Sequence, residues 1–510
     1  MSETLDAIVR RGARQQPDAR VIVDARVDWT WRDFDAQVTR AAGALGSLGI
    51  GPGDRVAAIG TSSAAYFAIY YGCARLGAIL TPLSYLSAPD ELRYVLADFD
   101  PAVVLASAEL ADAAGAAAAA ADPAARVVAF GEDGDEWDGL LAAADPGAEL
   151  PPPDPEGIHV VMYTSGTTGR PKGVCHTQRA HFVDGLQTAL GFGLRPGDSY
   201  VVHAPSFHGA CWDHAKLFLL VDGFVVLLPR FEPQALMEAV SRYRTSVLFG
   251  VPAVLRQVLN HSSFHDHDLS SVRMVLAGGA LGASMVNREF EEALGRPLEF
   301  LQIYGLTEAG PFVTALPPSL AHAKPTSIGR PLPGVELAIV DPETSAELPP
   351  GEVGEIAVRS PSIMREYLRN PEATAAAIRD GWLHTGDLGR RDEDGDHFIV
   401  DRLKDMIRTG GENVYAAEVE RVLLEHPDVL EAAVVGLPDE RWDERVVAAL
   451  LLREGATIDT EQVRGFCRER LAAYKVPKQV VVVPALPKTG LGKIAKHELR
   501  AELAAIQPSS

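Results

Sequence analysis

At 510 residues, 47% of them hydrophobic, the chain can bury a large core and should divide into more than one domain. Its formal net charge of −22 argues against a nucleic-acid or anionic-membrane partner, since phosphate groups demand a basic face. Cys73, Cys175, Cys211 and Cys467 are scattered with no CxxC pair, which points away from a disulfide framework or zinc and fits a reducing cytoplasm.

The segment from Met1 to Arg20 is polar and has no apolar h-region, so no secretory signal is expected. Short apolar runs then alternate with stretches long enough for a helix. Val56–Ile59, Val103–Leu105, Val127–Phe130, Val160–Met162, Tyr200–Val202, Phe224–Leu228, Ser246–Phe249, Met274–Leu276 and Phe300–Ile303 read as buried strands, an α/β signature. Ala111 to Ala125 reads as an alanine-rich surface helix. The longest apolar stretch, around Leu217 to Leu228, is interrupted by Asp222-Gly223 and is too short to span a bilayer. A soluble cytoplasmic protein without a transmembrane segment is expected.

From about Gly329 prolines and glycines punctuate short runs such as Glu336–Val340 and Glu355–Val358, which predicts a β-rich subdomain. The charged segment Asp401–Asp405 marks a domain boundary. Beyond it, helices near Ala416–Glu425 and Thr460–Leu471 and strands near Leu430–Val435, Val446–Leu452 and Gln479–Val483 make a module able to form its own core.

Polar motifs follow several of these strands. Tyr163 to Gly173 packs three glycines, four Ser/Thr residues and Lys172 behind Val160–Met162. Glycines let backbone N–H groups turn inward, and hydroxyls and a lysine add donors and charge, which suits a polyphosphate. The order is not that of a Walker loop, because Lys172 stands between Pro171 and Gly173. His203–Trp212, Gly250-Val251-Pro252, Ala277–Ala280 and Tyr304–Glu308 follow four more strands. Ligands of open α/β sheets bind at the carboxyl ends of strands, so these five segments should converge on one crevice. Tyr304 offers a stacking face, Glu308 a carboxylate for Mg²⁺, and Asp387 an acceptor for ribose hydroxyls. Singly, each has a plain structural alternative: a core aromatic, a helix N-terminal acid and a turn acid. His261, His265 and His267 read as a solvated loop, and His203, His208 and His214 carry no assignment from spacing alone.

The ordered set Tyr163–Gly173, Tyr304–Glu308, His384–Asp387, Asp401–Asp405, Gly410–Asn413 and Pro487–Ile494 resembles the adenylate-forming superfamily of acyl- and aryl-CoA synthetases, peptide-synthetase adenylation domains and firefly luciferase. The resemblance runs from Thr30-Trp31 to Arg500. It implies an α/β fold: a large N-terminal domain, 1–401, of stacked α/β subdomains with a β-rich subdomain near 329–401, and a small mobile α+β C-terminal domain, 402–510.

The same resemblance implies roles. Thr164, Ser165, Gly166, Thr167, Thr168, Gly169 and Lys172 would cradle the ATP phosphates. Gly278, Gly279, Ala280 and Tyr304 would flank the adenine, with Thr307 at the α-phosphate, Glu308 and Thr168 toward Mg²⁺, and Asp387 and Arg402 on the ribose. Lys493 would be the catalytic lysine, His208 a further catalytic group, and Lys404 the hinge of the C-terminal domain. Gly410–Asn413 would face the crevice in the second half-reaction. Amino-acid activators carry an aspartate where this chain has His208, so an apolar acid is expected. Phe207, His208, Gly209, Ala210, Trp212, Phe249, Gly279 and Phe312 would form its pocket, with Trp212 limiting depth, for a medium-chain, branched or aromatic carboxylate. The expected reaction joins that acid to AMP and then to CoA, with an amine or a carrier-protein phosphopantetheine as alternative acceptors, because Ala416 and Leu491 depart from the usual CoA-ligase pattern. A silent nucleotide-binding regulator is the remaining reading from another class.

Overall fold

The computed structural model describes residues 3–121, 125–131, 135–164, 170–278, 283–488 and 494–505. The chain gathers into two compact units. The larger contains the described residues of Met1–Gly166, Arg170–Leu337 and Val358–His384, and the smaller those of Ala338–Ala357 and Thr385–Ser510. The division by packing thus falls at His384/Thr385, whereas the sequence places a boundary at Asp401–Asp405. The strands Trp382–Arg391 and His397–Arg402 pair antiparallel, and Asp401 Oδ2 accepts from the Ala417 N–H at 3.1 Å. Those contacts tie much of the expected β-rich subdomain to the C-terminal module.

Two sheets organise the larger unit. In the first, Phe312–Leu316, Glu299–Gly305, Met274–Gly278, Val247–Gly250, Tyr200–Val202, Val225–Leu227, Arg20–Val23 and Asp28–Thr30 lie in that order. The run from Glu299–Gly305 to Arg20–Val23 is parallel. Its Val- and Leu-rich strands are buried on both faces, as helical crossovers require. The second sheet runs Glu366–Tyr367, Lys172–Thr177, Ile158–Thr164, Ile79–Leu83, Arg55–Ile59, Val103–Ser107 and Arg126–Phe130. Ile158–Thr164 therefore belongs to a different sheet from the other four motif-bearing strands. The five motif segments thus follow strands of two sheets, four in the first and one in the second.

In the smaller unit, Glu412–Val414, Ile407–Thr409, Asp443–Leu452 and Val429–Asp439 form a sheet, with Gln479–Val482 added parallel to Asp443–Leu452. Alternation sorts its two faces. Val434 and Ala448 pack with helices Ala416–Leu424 and Thr460–Arg468, while Val435 and Ala449 pack with Leu499 and Leu503 of helix Lys496–Ala505. No helix among the described residues is long and apolar enough to cross a membrane.

Candidate active site

The expected phosphate motif lies between two paired strands. Ile158–Thr164 and Lys172–Thr177 pair antiparallel, with Thr164 opposite Lys172. Ser165, Gly166, Thr167, Thr168 and Gly169 lie outside the described residues, as do Gly279, Ala280 and Lys493. Lys172 opens the second strand instead of closing a loop, and its Nζ stands 4.8 Å from the centre of the Tyr367 ring. Tyr163 faces inward, donating to Asp98 Oδ2 at 2.6 Å.

At the end of Glu299–Gly305 the chain reverses through a turn at Thr307–Ala309 into Phe312–Leu316. The reversal needs glycine: a Cβ on Gly305 would lie 1.8 Å from the Pro311 carbonyl oxygen. Neighbouring groups hold the turn. His176 Nε2 donates to the Thr307 carbonyl at 2.7 Å, and the Met364 N–H donates to the Glu308 carbonyl at 2.8 Å. The Tyr367 hydroxyl donates to Glu308 Oε1 at 3.0 Å. Burial and the adjoining Glu308 carboxylate keep that hydroxyl protonated well above the usual phenol range. Among the described residues no lysine or arginine forms an ion pair with Glu308, and its carboxylate is oriented by Tyr367. Tyr304 is buried in the strand, opposite Thr314. Gly278 ends Met274–Gly278 where a Cβ would meet Ile303 Cγ1 at 2.5 Å. Close packing against the neighbouring strand thus excludes a side chain there.

Behind the turn lies a buried ionic cluster. Lys216 Nζ reaches Asp184 Oδ2 at 2.8 Å and Asp213 Oδ1 at 3.1 Å. Burial raises both carboxyls above their ordinary range, the Asp213 charge adds to the rise at Asp184, and the Lys216 ammonium pulls each of them back down. His176 stacks on His181 at 4.7 Å, and burial pushes His176 down to about 4. His176 is therefore neutral, with its one proton on the nitrogen that faces Thr307. Asp184 Oδ1 also accepts from the Phe312 N–H at 3.4 Å, so the cluster touches both ends of the 307–312 reversal.

The expected acid-pocket residues separate by helix face. His208 caps helix Gly209–Leu220, its Nδ1 accepting from the Ala210 N–H at 3.1 Å, which makes Nε2 the donor nitrogen of the neutral ring. Gly209 leaves room for Asp213, whose Oδ2 a Cβ would approach to 2.8 Å. Phe207 packs edge-on against Tyr85. Trp212 does not line the same wall as Phe249. Its indole stacks on Tyr70 at 4.2 Å and donates to the Ser206 carbonyl at 2.6 Å, in the core beside helix Ala64–Leu76. Two residues along a helix turn through roughly 200°, so His214 takes the opposite side. The His214 ring lies 4.0 Å from the Phe249 ring and 5.0 Å from the Phe312 ring.

In the smaller unit, Asp387 and Arg402 sit opposite each other across paired strands, with Arg402 Nε 2.6 Å from Asp387 Oδ1. Thr385 and Gly386 are anchored to Ile356 and Glu355, which fixes the strand that carries Asp387. Lys404 is exposed in the turn Leu403–Asp405, and its carbonyl accepts from Arg500 Nη2 at 3.3 Å. Gly410 takes φ +60° and donates its N–H to the Trp442 carbonyl at 2.7 Å.

Sequence reasoning missed Tyr367, His176 and the Asp184–Asp213–Lys216 cluster. Only the i, i+3 spacing of Asp213 and Lys216 offered a signal. Asp392, Asp394 and Asp396 form the one group of three or more His, Cys, Asp or Glu residues among the described residues whose ligand atoms lie close enough together to hold a metal ion. Asp392 Oδ1 already accepts from the backbone N–H groups of Asp394 and Asp396, as in an Asx turn.

Known proteins match along nearly the whole chain. A feruloyl-CoA synthase from Amycolatopsis is 39% identical over 495 residues, covering 96% of this chain and 97% of its own. The structure of ATP-bound MatB from Rhodopseudomonas palustris superposes with a TM-score of 0.90 at 31% identity, over 98% of this chain and 99% of that one. The amide bond synthetase McbA from Marinactinospora thermotolerans superposes with a TM-score of 0.86 at 34% identity, over 98% and 99% of the two chains. The AMP-binding enzyme family matches residues 9–368, and its C-terminal domain matches 418–493. The first range holds the hairpin, Glu308 and Tyr367, and the second reaches Lys493. With the motif order, the fold and both matches in agreement, the chain is a member of the AMP-binding, adenylate-forming enzyme family.

Proposed function

We propose that this enzyme activates a medium-chain, branched or aromatic carboxylic acid with ATP, releasing pyrophosphate, and then transfers the acyl group to CoA, releasing AMP. The observation that carries the reading is the Glu308 carboxylate, aimed by Tyr367 beside Lys172 at the carboxyl end of a parallel strand. An oriented oxygen donor with no ion-pair partner among the described residues suits a hard divalent ion. Glu308, with Thr168, would hold Mg²⁺, which supplies charge neutralisation at the phosphates when bound.

The remaining steps rest on this chain's own groups. Lys172 and the Thr164–Gly169 segment bind the β- and γ-phosphates. Thr307, its carbonyl fixed by His176, sits at the α-phosphate. Asp387, aligned by Arg402, accepts from the ribose hydroxyls. Lys493 bridges the acid's carboxylate and the α-phosphate, so that two anions can meet. Holding both substrates turns a bimolecular encounter into a local one. Rotation about Lys404 then withdraws Lys493 and admits the thiol, with His208 Nε2 as a donor near the reacting carbonyl. The likeness to an amide bond synthetase favours a second acceptor class, an amine in place of the thiol. Pyrophosphate exchange with a panel of acids, followed by CoA or simple amines as acceptors, separates these outcomes. Exchange that no carboxylic acid stimulates would refute the proposal.

A further inference from the structure

Helix Gly209–Leu220 carries one polar group that the proposed chemistry leaves unused. His214 is 2% exposed, and its Nδ1 donates to the Ala210 carbonyl at 3.0 Å. Burial, above all, pushes the ring down to about 3, so it is neutral and its single proton stays on Nδ1. Nε2 is then an acceptor, and it is buried without a hydrogen-bond partner among the described residues. An unmet buried acceptor is unfavourable unless something completes it. Around it stand Phe249 at 4.0 Å, Phe312 at 5.0 Å and Tyr200 at 6.0 Å between ring centres. Phe192 extends the aromatic wall from Phe312 at 5.4 Å. The Tyr200 hydroxyl is likewise buried without a hydrogen-bond partner among the described residues.

We propose that His214 is a specificity-determining residue whose Nε2 accepts a hydrogen bond from an uncharged donor, a hydroxyl or ring N–H, carried on the ring of an aromatic substrate acid. The inference deepens the proposed acid activation and rests on Phe249 and Phe312 lining the acid pocket. Flat aromatic walls select a ring, and a lone acceptor among them selects a donor on that ring. A cationic ammonium is disfavoured, because a neutral imidazole among aromatic rings offers no countercharge. A site built around a hydrogen bond discriminates against analogues that lack it far more strongly than an apolar site discriminates by size.

The test measures binding by calorimetry and adenylation by pyrophosphate exchange, using the full chain. One series compares 4-hydroxycinnamate with cinnamate and 4-methoxycinnamate. The other compares indole-3-acetate with 1-naphthylacetate. Wild-type protein should prefer the donor-bearing acid at least about tenfold in one series, which also tells a hydroxyl site from an N–H site. His214→Leu should reduce that ratio to about one to three while retaining the donor-free acid. Equal affinity for donor-bearing and donor-free acids in both series, measured on wild-type protein alone, overturns the inference. So does a preference that persists in His214→Leu. The two readings fail separately: donor-selective binding without exchange rejects acid activation and keeps His214, and exchange without donor preference does the reverse.

Discussion

The Tyr367 hydroxyl donates to Glu308 Oε1 across 3.0 Å, and Lys172 Nζ stands 4.8 Å from the centre of the same ring. One tyrosine thus joins a cation expected at the phosphates to a carboxylate expected at the metal, although 59 residues separate it from Glu308. Tyr367→Phe should keep the ring and release the carboxylate. A hydrogen bond to a charged group contributes roughly 1.5–3 kcal/mol, so pyrophosphate exchange should fall about tenfold or more, with a raised Mg²⁺ requirement. A magnesium titration of exchange in the variant checks this. An unchanged midpoint and rate would mean that Tyr367 only packs.

Lys493→Ala should lower acyl-adenylate formation by about two orders of magnitude or more, as loss of a transition-state charge partner does. The melting temperature should barely move. Near wild-type exchange in this variant would remove Lys493 from the chemistry.

Lys404 is exposed in its short turn, with strand Ile407–Thr409 beginning just beyond it. Lys404→Pro fixes φ near roughly −65° and removes a backbone donor. Pyrophosphate exchange should largely survive, while thioester formation from preformed adenylate should collapse. Equal loss in both half-reactions would reject a hinge.

Nine strands of the two sheets were legible because fully buried strands are nearly continuous apolar runs, as at Val103–Ser107 and Met274–Gly278, whereas Arg20–Val23, Asp28–Thr30, Ile79–Leu83, Phe312–Leu316 and Glu366–Tyr367 were not read as strands. Lys172–Thr177 was not, because its strand begins with the lysine and glycine of a motif that reads as loop. Residue types and spacing pointed to Glu308 and Asp387. Their supports, Tyr367 and His176, come from chain segments far away in sequence, and no local pattern encodes such contacts. Sequence reasoning grouped Trp212 with Phe249, but nearness along a helix is not nearness of face, and Trp212 stacks on Tyr70. Its neighbour two residues on meets Phe249 instead.

His159 is fully buried, both ring nitrogens lack partners among the described residues, and burial pushes it down to about 3. The unfolded chain binds a proton there below about 6.5 and the folded chain does not. Stability from this group is therefore present above that pH and is lost as pH falls toward 3, by about 1.4 kcal/mol per pH unit. Asp184, raised to about 7 mainly by burial, works in the opposite direction, so the comparison must be between variants. His159→Phe should be at least as stable at pH 7.5, since it removes two unsatisfied buried atoms beside Tyr70. Its melting temperature should fall less than that of the wild type between pH 7 and 5. Parallel pH profiles would contradict the assignment of a neutral, acid-labile His159.

The proposed acid pocket has His208 at the position where the family resemblance implies an acid in amino-acid activators, so free α-amino acids should be poor substrates and several related apolar acids should be accepted. An unmodified α-amino acid with the highest specificity constant would reverse that reading.

The most direct measurement is ATP–pyrophosphate exchange with and without carboxylic acids, followed by analysis of the products once CoA is added. The account predicts exchange that requires both ATP and an apolar acid, strongest with aromatic acids, and then AMP and acyl-CoA in equal amounts. Exchange independent of any acid, or turnover that yields ADP and phosphate, would contradict it.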